Sequence, residues 1–166
     1  MDTKYKNKYR IPSSRLQDYD YSSGGYYFIT ICTQNRENYF GEIINDKIQL
    51  SQMGIIAHKY WLEIPKHFHF IKLDEFVVMP NHVHGIIIID KSIAKTSVET
   101  RQCLVSTNTN INKINRFQNQ GKNTVSSIIG SYKSICTKTI NRLLSSTSFG
   151  WQPRFYDHII KNEISL

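Results

Sequence analysis

From Tyr26 to Thr33 the chain is aromatic and β-branched at almost every position, which predicts a strand. Tyr39–Ile44 and Lys47–Leu50 flank Asn45-Asp46, a pair suited to the tight turn of a hairpin. Ser51 then has the right chemistry to cap a helix that runs to about Ile64, where Pro65 enforces a stop. On that helix Ile55, Ile56, Tyr60 and Ile64 share an apolar face, with Trp61 alongside. Ile71 to Met79 is the next strand, and Pro80-Asn81 makes a corner into a strand beginning at His82. Ile86 to Ile89 is apolar at consecutive positions, so this strand should be covered on both faces and lie inside a sheet. Residues 123–145 repeat Val125, Ile128, Ile129, Tyr132, Ile135, Cys136, Ile140, Leu143 and Leu144 at helical spacing, most of them core positions. Trp151 to Ile160 reads as a final short strand or extended segment. Strand, helix, two strands, helix and strand in this order predict an α+β fold: an antiparallel sheet of four or five strands under two main helices.

Two stretches fall outside this pattern. Residues 1–25 are rich in Lys, Arg, Tyr, Ser and Gly and form a basic N-terminal arm. Arg10 and Arg15 could pair with phosphates while the interleaved Tyr5, Tyr9, Tyr19 and Tyr21 stack on bases; alternatively the tyrosines pack on the domain. From Lys91 to Lys122 Ser, Thr, Asn, Gln and Lys dominate without periodicity, so about 91–122 is expected to be a flexible insertion in a single domain spanning 26–166.

Charge sharpens the picture. The formal net charge is +8, which makes an acidic polymer a suitable partner. Residues 91–166 hold 11 Lys/Arg against 3 Asp/Glu, whereas residues 37–90 hold 4 against 7. An acidic pocket beside a basic track fits this division, as does a merely solvated basic surface. Cys32, Cys103 and Cys136 are widely spaced and odd in number, so neither a disulfide framework nor a zinc ribbon is indicated, and a reducing cytoplasmic setting is expected. No apolar run reaches the length of a membrane span, and no signal peptide is visible.

The candidate chemistry sits on the strand beginning at His82. A strand's period of two puts His82 and His84 on one face, where two imidazoles can grip a divalent ion and leave positions open. On spacing alone, a plain pair of strand histidines fits equally well. His67-Phe68-His69 repeats the spacing at a helix-to-strand connection and reads as surface. His158, beside Asp157, could approach a metal or simply satisfy a buried corner. Lys133, Lys138 and Arg142 fall largely off the apolar stripe of their helix; the last two, one turn apart, could follow a phosphate backbone or face solvent.

Met79-Pro80-Asn81-His82-Val83-His84 resembles the His-hydrophobic-His motif of single-tyrosine HUH transposases, in particular the REP-associated tyrosine transposases. The likeness extends over Tyr9-Arg10-Ile11-Pro12, Tyr27–Cys32, Tyr39–Ile43, Leu73–Pro80, Ile128–Ser134 and Trp151–Ile160, which includes Arg154. It implies a ferredoxin-like sheet, a homodimer, and single-stranded or hairpin DNA as partner in a bacterial, nucleoid-associated setting. It also implies Mg²⁺ or Mn²⁺ on His82, His84 and a third polar ligand, for which His158 is the candidate. The reaction implied is attack by a tyrosine on a DNA phosphodiester, giving a 5′-phosphotyrosine link and a free 3′-OH. The family places that tyrosine on a helix after the Trp-Gln…Asp-His-Ile-Ile segment, with Asn or Gln four residues later. No Tyr-x-x-x-Asn/Gln follows the histidine motif here, so the chain is expected to lack that helix, with Tyr156 as the fallback nucleophile. The alternatives are a catalytically dead remnant that only binds DNA hairpins, and a metal-dependent nuclease that uses water.

Overall fold

The computed structural model describes residues 19–94, 123–143 and 149–160. Its strands are β1 (Gly25–Cys32), β2 (Gly41–Ile44), β3 (Lys47–Leu50), β4 (Ile71–Met79), β5 (His82–Ile89) and β6 (Tyr156–Ile160). Its helices are α1 (Gln52–His67), α2 (Lys91–Ala94) and α3 (Val125–Leu143). β4, β5, β1 and β6 form one four-stranded sheet in that order, antiparallel at every junction. This is the α+β, ferredoxin-like arrangement the order of elements predicts. β2 and β3 form a separate two-stranded sheet, not a fifth strand of the main one. Their turn is Asn45-Asp46, both residues at positive φ (51° and 59°) as a two-residue hairpin demands.

The pleat divides the main sheet into two faces. Tyr27, Ile29 and Ile31 of β1 and Val83, Ile87 and Ile89 of β5 are buried in one core with α1 and α3. The opposite face carries Tyr26, Phe28, Thr30 and Cys32 of β1 beside Ile88, Ile86, His84 and His82 of β5. There Tyr26, Val77 and Tyr156 stay exposed. β5 lies inside the sheet, as its apolar run predicts.

Ser51 does cap α1: its Oγ accepts from the Gly54 N–H at 3.2 Å and donates to the Tyr39 carbonyl. Two expectations for this helix need correction. It continues through Pro65 to His67, because a proline in the last turn loses only one backbone bond; Phe68 N–H then closes the end on the Ile64 carbonyl. Its buried face is Gly54, Ala57, Trp61 and Ile64, and Ile55 is 57% exposed. Small residues let the neighbouring chain come close, so the helix is turned away from the face its bulkiest aliphatics would choose.

The same lesson holds elsewhere. On α3, Ile135 and Leu143 are exposed although they fit the stripe, and Leu144 lies outside the described residues. β6 begins only at Tyr156; before it, Trp151 forms a lone bridge to Thr33. The start of the predicted insertion is the short helix α2, where Asp90 accepts from both the N–H and the hydroxyl of Ser92. These bonds and Lys72 hold the Asp90 carboxyl down at about 2. The rest of that insertion lies outside the described residues, as do Arg10, Arg15, Tyr5 and Tyr9 of the arm. Of the arm's tyrosines, Tyr19 and Tyr21 pack against Tyr27 with ring centroids 6.5 and 6.3 Å away. His67 and His69 are exposed, as expected. No described helix is long and apolar enough to cross a membrane.

Gly85 marks the tightest contact between sheet and helix. A Cβ built there would stand 2.3 Å from the Trp61 ring and 2.9 Å from the Phe76 Cβ. Because Trp61 is fully buried, the ring cannot swing clear. Gly85→Ala is expected to destabilise the fold by about 1–3 kcal/mol, read as a lowered urea midpoint at unchanged m-value.

Candidate metal and nucleic-acid site

The corner that presents the histidines is clamped by Phe40 and by Thr33. Pro80 cannot donate a backbone bond, but its carbonyl accepts from Phe40 N–H at 2.9 Å. The Asn81 carbonyl accepts from the Thr33 N–H at 2.9 Å, and the Thr33 hydroxyl shares its one proton between the Glu37 and Asn81 carbonyls, 2.8 and 3.0 Å away. Thr33 is fully buried, so this anchor is sheltered from water. The strand that follows is therefore fixed at its first residue.

His82 and His84 project from the open face with ring centroids 4.4 Å apart and planes at 77°. His82 Nδ1 lies 2.7 Å from Asn81 Oδ1, and His84 Nδ1 lies 2.8 Å from Thr30 Oγ1. His84 also stacks on Phe28, centroids 5.3 Å apart. Burial lowers the pKa of both rings; for His82 the neighbouring His84 and the Arg36 guanidinium lower it further. Both imidazoles are thereby biased toward the neutral form, the one that binds metals. With each Nδ1 engaged, each ring keeps Nε2 for an outside partner. Two such nitrogens are a donor set of the kind a divalent ion takes. Among the described residues, no three of His, Cys, Asp or Glu come together in a group able to hold a metal, so His158 does not join the pair.

The remaining predicted residues are distributed as follows. Tyr156 is 51% exposed and pairs with Thr30, whose partner on the other side is His84. It thus stands on the histidine face, two strands away, or roughly 10 Å between backbones. His158 is exposed on the same face, paired with Phe28. Arg154 is exposed just before β6. Lys133 turns inward: its Nζ donates to the Gln152 carbonyl at 2.6 Å and reaches that of Pro153 at 3.4 Å, while its own carbonyl accepts from the Trp151 indole. Burial lowers its pKa. Lys138 and Arg142 are exposed on α3, which packs on the other side of the sheet from the histidines. Arg10 and Arg15 lie outside the described residues.

Three contributors are absent from a reading by motif. Thr30 is invisible because its place beside His84 depends on strand pairing across more than fifty residues. Arg36 belongs to a turn that only the fold brings to the site. Asn81 adjoins His82 in the sequence, and the habit of metal-binding histidines to hold a partner on the second nitrogen points to it.

No family model matches the chain. The solved structure of a REP-associated tyrosine transposase bound to a REP hairpin is similar to it, with a TM-score of 0.52 at 18% identity, covering 92% of this chain. This chain spans 65% of the length of that one. At such identity the likeness is one of fold alone. In sequence, an uncharacterized protein of Haemophilus influenzae strain Rd is 37% identical over 168 residues, covering 99% of this chain and 87% of the relative. Identity at that level over nearly the whole length is shared descent: the chain belongs to the family of that Haemophilus influenzae protein.

Proposed function

We propose that this protein is a transposase-type DNA strand transferase, acting on single-stranded or hairpin DNA through a tyrosine and a divalent ion. The observation that carries the reading is the pair of oriented imidazoles on the open face of the sheet, with an exposed tyrosine on the same face. The fold it shares with a transposase bound to a DNA hairpin supports hairpin DNA as partner.

His82 and His84 would hold Mg²⁺ or Mn²⁺, whose charge would offset that developing on a scissile phosphate. Tyr156 is the described tyrosine best placed to attack: its hydroxyl gives its proton to solvent as Oη bonds to phosphorus, the P–O3′ bond breaks, and the leaving 3′ oxygen takes a proton back from solvent. The result is a 5′-phosphotyrosine and a free 3′-OH, and reversal by a 3′-OH rejoins strands. Arg154, two residues earlier, and Arg36, beside His82, are available to phosphates flanking that bond. Lys133 holds the segment leading to β6 and so sets where the Tyr156 strand begins. Pairing of two copies would follow the habit of the transposases the sequence resembles.

The test is incubation of 3′-labelled single-stranded hairpin DNA with the protein and Mn²⁺, resolved on a denaturing gel. A slow protein–DNA adduct that disappears in both Tyr156→Phe and His82→Ala is the expected result. Cleavage that survives Tyr156→Phe would replace the tyrosine with water. Hairpin binding with neither adduct nor cleavage would leave the second reading, a binding protein without strand-transfer activity.

A further inference from the structure

The corner before β5 does more than turn the chain. Asn81 Nδ2 donates to the Arg36 carbonyl at 3.2 Å. A carbonyl can only accept, so this bond decides which way the amide faces: Oδ1 must be the atom turned toward His82 Nδ1, 2.7 Å away. Oδ1 can likewise only accept. The proton of a neutral His82 is therefore on Nδ1.

We propose that Asn81 is a positioning residue that locks His82 as the Nδ1–H tautomer, leaving the Nε2 lone pair on the open face of the sheet. The preference must be imposed, because a histidine side chain left to water favours the proton on Nε2, where it would block a ligand. The surroundings are built to impose it. Asn35 and Arg36 are consecutive non-glycine residues in the left-handed region, at φ 54° and 58°. Holding both there costs energy that the fold supplies elsewhere. The turn is fastened by Arg36 N–H on the Thr33 carbonyl, Glu37 N–H on that of Gln34, and Thr33 Oγ1 on that of Glu37. Thr33 thus grips both ends of the relay, the Asn81 backbone and the turn that offers the Arg36 carbonyl. The strained turn aims a carbonyl, the carbonyl orients an amide, and the amide selects a tautomer.

The tautomer stands on geometry alone; its use in holding a metal rests on the proposed function. The two are separated by measuring the first without metal. In ¹⁵N-histidine-labelled protein at pH 7.5 with chelator, long-range ¹H–¹⁵N correlations report which ring nitrogen of His82 carries the proton. The expected result is protonated Nδ1 in the native chain and a shift toward protonated Nε2 in Asn81→Ala. Finding Nε2 protonated in the native chain overturns the proposal, even if the variants fail to fold. So does an Asn81→Ala variant whose His82 spectrum does not change. Mn²⁺ titration then reads the consequence: Asn81→Ala should bind about 10- to 100-fold more weakly. Should the tautomers behave as expected while the native chain binds no Mn²⁺ at millimolar concentration, the lock stands and the metal reading of the site fails.

Discussion

Trp61→Ala is expected to remove about 3–5 kcal/mol of stability, out of the roughly 5–15 kcal/mol a domain of this kind possesses. The indole is fully buried at the centre of the core. It stacks on Phe76 at 5.9 Å, meets Tyr132 edge-on at 5.3 Å, and covers the strand at Gly85. From helix α1 it reaches β4, helix α3 and the histidine strand at once, so the void left by alanine cannot collapse without moving these elements together. Urea unfolding followed by circular dichroism measures it, with the midpoint falling and the slope unchanged. Trp61→Phe provides the control. The buried Nε1 finds no acceptor among the described residues, so losing it removes an unmet polar group and leaves mainly the loss of ring volume. The phenylalanine variant should therefore lose much less. Equal losses in both would show that the ring is not the keystone of this packing.

His82→Ala has the largest expected effect on the site. With one of two imidazole donors gone, Mn²⁺ affinity is expected to fall by more than the roughly 10- to 100-fold that an outer hydrogen-bond partner costs. Titration calorimetry or the Mn²⁺ resonance signal reads this directly. The fold should persist, because the ring is only half-buried, on the face away from the main core. A thermal midpoint within a few degrees of native, with metal binding lost, is the expected pair of results; unchanged metal binding would remove His82 from the site. The sign of the pH dependence follows from the lowered pKa values. Below the ordinary value of 6.5 the unfolded chain takes up protons on these histidines more readily than the native chain, so their contribution to stability is present above that pH and is lost as pH falls.

Much of this architecture was legible in the chain itself. Strands β1, β4 and β5 announce themselves through β-branched runs, and Ser51 and Asn45-Asp46 through turn and cap chemistry. Their signals are local, set within a few residues by backbone sterics and hydrogen bonds. Where expectation and structure part, the deciding contact is distant. Ile55 yields its place to Gly54 because Phe40 presses close there, and Phe40 is invisible to a helical wheel. Lys133 looks like a solvated cation until the carbonyls of Gln152 and Pro153 arrive beside it. The histidine pair could be read from the period of a strand, but not its readiness for a ligand. That depends on Thr30 and on a carbonyl at Arg36, both set by tertiary pairing.

The order of strands also has a consequence for motion. β5 is bonded on both sides, whereas β6 is five residues long and, among the described residues, joined to the sheet by β1 alone. Opening free energies scale with the bonds and apolar contacts that must be broken, so the edge can fray while the centre stays closed. The strand of Tyr156 is therefore expected to open at lower cost than the strand of the histidines, which amide hydrogen exchange would show as weaker protection in β6 than in β5. A site divided in this way could release or admit a bulky strand at its outer wall without disturbing the groups at its inner one.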